Sequence, residues 1–508
     1  MFGIDKRRNT ENPYYYQNVR GRAMYNYGIV TIGYKNISGI QRLLKALDKA
    51  DYQNQEILLI ISIDYSGENS VLDIAEDFEW KHGKKVIKKF SQNLGLRRHV
   101  LACGYYLNEF NLDALIVFED DMYPSIDFFR FSKAATEYYI DDDRIAGISL
   151  YTRCINQTVM EAFYPLTCEG DNYFFQYAQS RGQVWFRKQW NDFIEWYDLN
   201  DNIFRGKSDL PIDVANWRDT SWLKYHIKYC VEKKKYFVYP YIAYSTCFGE
   251  VGVHVKRKTD QWQVPLSNGK KDVFHFVDLD DNAVVYDVFF ENEKLYKVLG
   301  LNADELAVDL FAGRTIINKK YILTTRKLPY KVVKTWGNRL IPHELNIINN
   351  IQGNDICLYE RNERDSNINL TLDGNKKDKY KSYFEVLSKW LQLEEKGVRL
   401  EDYFLHNNWR NISIYGLGDL GWYLYNSLNG TEIKIKYTLD QNKSQNSWNI
   451  DNLYDNLVLP NVDMCIITSF WHMQEISEYL LERKVMNYIS IEEIIERLWI
   501  DKIEGKNE

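Results

Sequence analysis

Three consecutive carboxylates, Glu119-Asp120-Asp121, follow the apolar run Leu115-Ile116-Val117-Phe118. The run reads as a buried strand that stops at the acids. Pro124 and Ser125 then break the chain before a helical pattern begins. Like charges crowded at a strand end are costly unless something positive sits among them. A hard divalent cation holding a diphosphate is the common remedy, because Mg2+ or Mn2+ prefers carboxylate, water and phosphate oxygens. An isolated Glu-Asp-Asp is more often a solvated acidic turn, so the flanking chain has to decide.

The elements that would position the acids alternate. Gly28–Gly33 reads as a first strand, and Ser38 as the cap of a helix with Ile40, Leu43, Leu44 and Leu47 at helical spacing. Glu56–Ile63 is a second strand ending at Asp64, a helix covers about 69–82, and Lys85–Phe90 is a third strand. Leu96, Val100, Cys103, Leu107 and Phe110 share one helix face, and Ala114–Phe118 is the fourth strand. This order predicts a doubly wound α/β domain on a parallel sheet. Such sheets bind ligands beyond the carboxyl ends of their strands. Tyr34-Lys35-Asn36, Asp64 and Glu119–Asp121 all fall at those ends, as a nucleotide site requires. Beyond Asp121 the alternation weakens. The aromatic segments 172–185, 216–222 and 239–254 would build the acceptor side, and 257–285 reads as loop.

Composition narrows the classes. A chain of 508 residues holds two or more full-sized cores. A net charge of −7 argues against a nucleic-acid binder. The seven cysteines form no Cys-x-x-Cys pair and read as thiols in a reducing compartment. The longest strongly apolar stretch, Ile57–Ile63, is strand-sized, and the first residues lack the apolar core of a signal peptide. The expectation is a cytoplasmic protein, with contact at the inner face of the membrane only through a lipid-linked acceptor.

From Ile29 to about His254 the chain resembles the N-acetylglucosaminyltransferase I family, which has the GT-A fold. The resemblance rests on Arg98-His99, Glu109-Phe110-Asn111, Val117–Asp121, Asp127–Phe131, Asp219 with Trp222, and the run from Tyr239-Pro240 through Ser245–Gly249 to Gly252-Val253. It implies a metal-dependent, inverting transfer from a nucleotide sugar, usually a UDP-sugar. Carried over by position, Asp121 would hold Mn2+ or Mg2+. Glu119 and Asp120 would contact the donor's sugar and ribose. Asp64 would bind the base, His99 would lie near the nucleotide, and Asp219 would be the catalytic base. The family's arginine after strand one is absent: Asn36 stands there, preceded by Lys35. The family's paired acids before the second tryptophan are broken up as Asp219-Thr220-Ser221-Trp222.

Residues 286–407 read as a helical or irregular connector, with a helix at 302–311, a strand at 355–359, a polar stretch at 361–379 and helical spacing over 381–396. Residues 408–508 then read as a second, smaller Rossmann-like α/β domain. The strand Asn411–Tyr415 leads into Gly416-Leu417-Gly418-Asp419-Leu420-Gly421, a helix follows, and the next strand ends in Asp440. Strand, glycine turn, helix, strand and acid is the context of a dinucleotide fingerprint, so a nucleotide or NAD is a candidate ligand there. The same glycines equally suit a tight turn with no ligand.

The expected whole is an amino-terminal arm (1–27), a GT-A nucleotide-diphospho-sugar transferase domain (28–285), the connector and the Rossmann-like domain. The expected activity is a glycosyltransferase moving a sugar such as GlcNAc to a glycan or glycolipid acceptor, in bacterial surface polysaccharide synthesis. A dinucleotide-dependent sugar-modifying enzyme and a non-catalytic sugar-nucleotide-binding protein remain alternatives.

Overall fold

The apolar, β-branched run Tyr27–Gly33 (β1) is buried along its whole length, as a central strand covered on both faces must be. In this computed structural model, which describes residues 25–200, 209–250, 260–280, 282–328, 330–361, 368–369, 376–440, 459–470 and 473–502, β1 is flanked by two parallel partners. Val30 stands opposite Ile60 of β2 (Leu58–Ile63) and Val117 of β4 (Ala114–Glu119). The edge strand β3 (Lys85–Lys89) is half-buried and carries three lysines, which discourage pairing with another chain. Alternate residues point to opposite faces. Ile29, Leu59, Ile61 and Ile116 meet the helix Ile37–Asp48 on one face. Val30, Ile60 and Val117 meet Val100 and Cys103 of the helix Gly95–Gly104 on the other. Each such aliphatic side chain contributes roughly 1.5–3 kcal/mol by leaving water.

After β5 (Met122–Pro124) the sheet changes character. It continues through β6 (Ile145–Ser149), β7 (Asn172–Phe175), β8 (Gln183–Phe186), β9 (Tyr236–Pro240) and β11 (Val285–Tyr286), while β10 (Ser245–Cys247) pairs apart from it with β5. The strand order is β11-β7-β9-β6-β8-β4-β1-β2-β3. β8 runs antiparallel to both β4 and β6, so β6 is again parallel to β4. The result is a mixed α/β sheet with a parallel half.

Several expectations are corrected. The first helix is capped by Asn36, whose Oδ1 accepts the Gly39 N–H at 2.9 Å, while the Ser38 hydroxyl only donates to that same oxygen. Asn36 lies three residues before Gly39, the reach an N-cap needs. Much of the expected connector is a second sheet. β12 (Leu306–Asp309), β13 (Tyr321–Thr324), β14 (Lys331–Trp336) and β15 (Ile356–Glu360) form the order β12-β13-β15-β14 around Leu323, Trp336 and Leu358. The expected helix at 302–311 is instead β12, a short apolar run whose periodicity does not separate helix from strand.

The chain divides into two compact units, Met1–Asp373 and Gly374–Glu508. The helices Lys376–Glu395 and Leu400–His406, expected in the connector, fall in the second unit. That unit has four parallel strands: β16 (Asn411–Tyr415), β17 (Lys434–Leu439), β18 (Met464–Ile467) and β19 (Tyr488–Ser490), in the order β17-β16-β18-β19. It is a second, smaller α/β sheet. The expected arm up to residue 24, Gly252-Val253-His254 and most of the stretch 361–379 lie outside the described residues. Among the described residues no helix is long and apolar enough to cross a membrane.

Candidate functional site

β4 delivers the acids to the carboxyl edge of the parallel half and the backbone ties them there. The Asp120 N–H donates to Ile32 O at 3.1 Å, and Asp120 Oδ2 accepts the Tyr34 N–H at 3.3 Å. The Asp121 carbonyl accepts the Phe248 N–H at 3.0 Å, next to the ribbon in which Met122 faces Cys247. A Cβ on Gly39 would lie 2.4 Å from the Asp120 carbonyl oxygen. Only glycine lets the first turn of helix Ile37–Asp48 come this close, and it brings that helix's positive end to the acids.

All three carboxylates are partly exposed yet enclosed by protein on most sides. Burial, then the charges of Asp121 and Asp120, pushes Glu119 up to about 8. Burial and Asp121 push Asp120 up to about 7, against the pull of Tyr34 N–H, Asn36 and Arg42. Burial also raises Asp121, opposed chiefly by Arg181. Among the described residues two cations, Arg42 and Arg181, bear on the three acids, and one is already committed. Arg42 gives both terminal nitrogens to Glu250, at 2.8 and 2.9 Å, and lies 3.6 Å from the centre of the Phe248 ring. The negative charge at this edge is only partly answered from within. Among the described residues no three Asp, Glu, His or Cys side chains converge as a complete metal cage. The donor set fits a hard cation held by a carboxylate and by oxygens of a ligand.

The other predicted site residues are placed as follows. Asp64 is buried at the end of β2, and its carboxylate accepts the N–H groups of Tyr65 (2.8 Å), Leu94 (2.8 Å) and Gly95 (3.0 Å). It thereby caps helix Gly95–Gly104. His99 is buried, with Nε2 2.8 Å from Ser62 Oγ and its ring edge-on to Phe90. Burial pushes it down to about 4, so it is neutral at pH 7. Asn36 is engaged as the helix cap, and Lys35 is exposed with Nζ 5.4 Å from the Tyr34 ring centre. Asp219 is exposed, its carboxylate 2.9 Å from Lys224 Nζ and its carbonyl 3.0 Å from Arg97 Nη1. Arg97 rides on the helix that Asp64 caps. Sequence reasoning missed Arg42, Arg181, Glu250 and Lys224. Arg181 and Glu250 stood inside the quoted aromatic segments, and Arg42 and Lys224 gave no local signal.

A cavity of about 660 Å³ lies elsewhere in the first unit, lined by Tyr236, Asp287, Glu293 and Arg314 among others. Part of its charge is answered internally: Arg314 pairs with Asp287, and the Tyr236 hydroxyl donates to Glu293 at 2.8 Å. The acidic edge, with three raised carboxylates side by side, is the stronger candidate for chemistry.

In the second unit, Gly416 has φ +97°, and a Cβ on Gly421 would lie 1.9 Å from the Gly416 carbonyl oxygen. Both glycines are required by the turn and by close helix–strand packing. A Cβ on Gly418 would meet nothing within 4 Å. Asp440 Oδ2 accepts the Leu417 N–H at 2.6 Å, so this acid closes the glycine turn.

No protein-family model and no curated protein matches the sequence. Among solved structures, S. aureus TarS 1–349 superposes with a TM-score of 0.28 at 14% identity, over 43% of this chain and 59% of that one. TarS 1–349 in complex with UDP-GlcNAc gives 0.29 and 14%, over 45% and 60%. The mannosyltransferase PcManGT from Pyrobaculum calidifontis, in complex with GDP-Man and Mn2+, gives 0.28 and 10%, over 46% and 59%. The chain spans about three fifths of the length of these structures. The similarity is distant and assigns no activity to this chain.

Proposed function

We propose that the first unit is a metal-dependent, inverting glycosyltransferase of GT-A type. It moves the sugar of a nucleotide sugar, a UDP-sugar such as UDP-GlcNAc, to a glycan or lipid-linked acceptor in surface polysaccharide synthesis, and the nucleoside diphosphate leaves. The supporting observation is the cluster Glu119-Asp120-Asp121: three raised, half-exposed carboxylates at the carboxyl edge of the sheet's parallel half, beside a helix amino-terminus, with Arg42 and Arg181 as the cations that bear on them among the described residues. Asp121 is the residue to hold Mn2+ or Mg2+ with the donor's diphosphate. When bound, the cation would neutralise charge on the departing diphosphate. Glu119 and Asp120 orient donor hydroxyls, and Lys35 and Asn36 border the nucleotide. Asp64 and His99 act by shaping the wall, since their polar atoms are spent on Leu94, Gly95 and Ser62. Asp219 takes the acceptor hydroxyl's proton as that oxygen attacks. One base and one displacement give inversion.

A second reading places a nucleotide or NAD on the glycine turn of the second unit. The open space at Gly418 favours it, and the use of Asp440 within the turn weighs against it. Release of the nucleoside diphosphate from a panel of UDP- and GDP-sugars with Mn2+ separates the two. The transferase reading expects release that Asp121→Ala abolishes and Gly418→Val spares. The opposite pattern would move the chemistry to the second unit.

A further inference from the structure

β6 runs parallel to β4, so Tyr151-Thr152-Arg153 leave the sheet at the same edge as the acids. The segment Gln176–Gly182 returns to that edge before β8, where the Leu150 N–H donates to the Gly182 carbonyl at 2.9 Å. Two arginines and a glutamine meet there. The Arg181 guanidinium lies 5.2 Å from the Tyr151 ring centre and 5.0 Å from that of Trp262. Among the described residues it forms no ion pair. Arg153 is 3% exposed and lies 4.0 Å from the Tyr177 ring centre. Its Nη1 donates to Gln157 Oε1 at 3.0 Å, its Nε has no hydrogen-bond partner, and no described carboxylate pairs with it.

Gln179 is fully buried. Its Oε1 accepts the N–H groups of Ser180 and Arg181, at 2.8 and 3.0 Å, and its Nε2 has no hydrogen-bond partner. Both Arg153 and Gln179 neighbour the Tyr239 hydroxyl, and Arg153 and Arg181 both bear on Tyr151 and Tyr177, so the three side chains share one locality. What is left unsatisfied on Arg153 and Gln179 is donors, Nε of the one and Nε2 of the other. Buried donors are normally satisfied, and a buried cation without a counter-charge is strongly unfavourable. A guanidinium fork and an amide N–H₂ complement a tetrahedral oxyanion.

We propose that Arg181, Arg153 and Gln179 form a phosphate-binding pocket beside the acidic cluster. The proposal rests on the reading of that cluster as the transfer site. The phosphate is either the donor's diphosphate or a phosphate carried by the acceptor. Arg181 is half-exposed and rests on two rings, so Arg181→Met keeps the packing and removes the charge.

The test is calorimetric titration of the whole chain with two probes: inorganic pyrophosphate in Mn2+, and glycerol phosphate without metal. Arg181→Met should weaken at least one probe by about tenfold or more, with Arg181→Lys recovering part of the loss. Loss confined to pyrophosphate assigns the pocket to the donor, and loss confined to glycerol phosphate assigns it to the acceptor. Equal binding of both probes by wild type and Arg181→Met would overturn the proposal, as would no binding to wild type. If Asp121→Asn abolishes Mn2+-dependent pyrophosphate binding while Arg181→Met changes neither probe, the pocket fails and the transferase reading stands. If Arg181→Met loses glycerol phosphate and no metal-dependent ligand is found, the pocket stands and the transferase reading fails.

Discussion

Lys224 Nζ lies 2.9 Å from Asp219 Oδ1, with the lysine side chain 1% exposed and the aspartate side chain 90% exposed. The ammonium also donates to the Trp217 carbonyl at 3.0 Å, so a buried cation fixes the loop that presents an exposed carboxylate. If Asp219 is the base, Asp219→Asn lowers turnover by roughly 10²–10⁴-fold and leaves Mn2+-dependent donor affinity unchanged. Lys224→Met should lower turnover less. Measuring kcat alongside donor Kd checks both, and full activity in Asp219→Asn would remove the assignment.

Asp64 holds the start of helix Gly95–Gly104 through two backbone amides. Asp64→Ala should destabilise the first unit by roughly 2 kcal/mol in urea titration, the scale of a lost charged cap. An unchanged midpoint would show that the carboxylate is not a structural cap.

Two buried histidines predict an acid limb of stability. Burial lowers His99 from 6.5 to about 4 and His226 to about 3. Their neutral forms are favoured in the fold, so this contribution is complete above pH 6.5 and is lost as pH falls toward 4. For His99 it amounts to roughly 3 kcal/mol at most. Melting wild type and His99→Gln between pH 7 and 4 should give a flatter profile for the variant. Identical slopes would contradict the assignment.

The glycine turn of the second unit should discriminate between its positions. Gly421→Ala drives a Cβ into the Gly416 carbonyl and should cost roughly 3 kcal/mol, read as lost hydrogen-exchange protection over β16 and β18. Gly418→Ala meets open space and should change stability by no more than about 0.5 kcal/mol. Equal effects would mean that the turn is not packed as described.

The parallel half and the acidic stop were legible because they are written locally, as short apolar runs alternating with amphipathic helices. The sheet at 306–360 was not, because β12 and β13 are short apolar runs whose periodicity does not separate helix from strand. The site divides the same way. Glu119–Asp121 announce themselves by adjacency. Arg42 and Glu250 meet across 208 residues, and Asp64, placed at a strand end by its pattern, finds its partners at Leu94 and Gly95. Exposure, too, was hidden in sequence: His99 lies off the apolar stripe of its helix, yet it is buried against Ser62 and Phe90.

The most direct measurement is the thermal shift of the whole chain with UDP-GlcNAc, UDP and GDP-mannose, with and without Mn2+, in wild type and Asp121→Ala. A ligand at a hundredfold its Kd adds about 2.7 kcal/mol, a readily visible rise in Tm. The account predicts a shift with a nucleotide or nucleotide sugar that requires Mn2+ and disappears in Asp121→Ala. A shift that is independent of Mn2+ and survives in Asp121→Ala would contradict it.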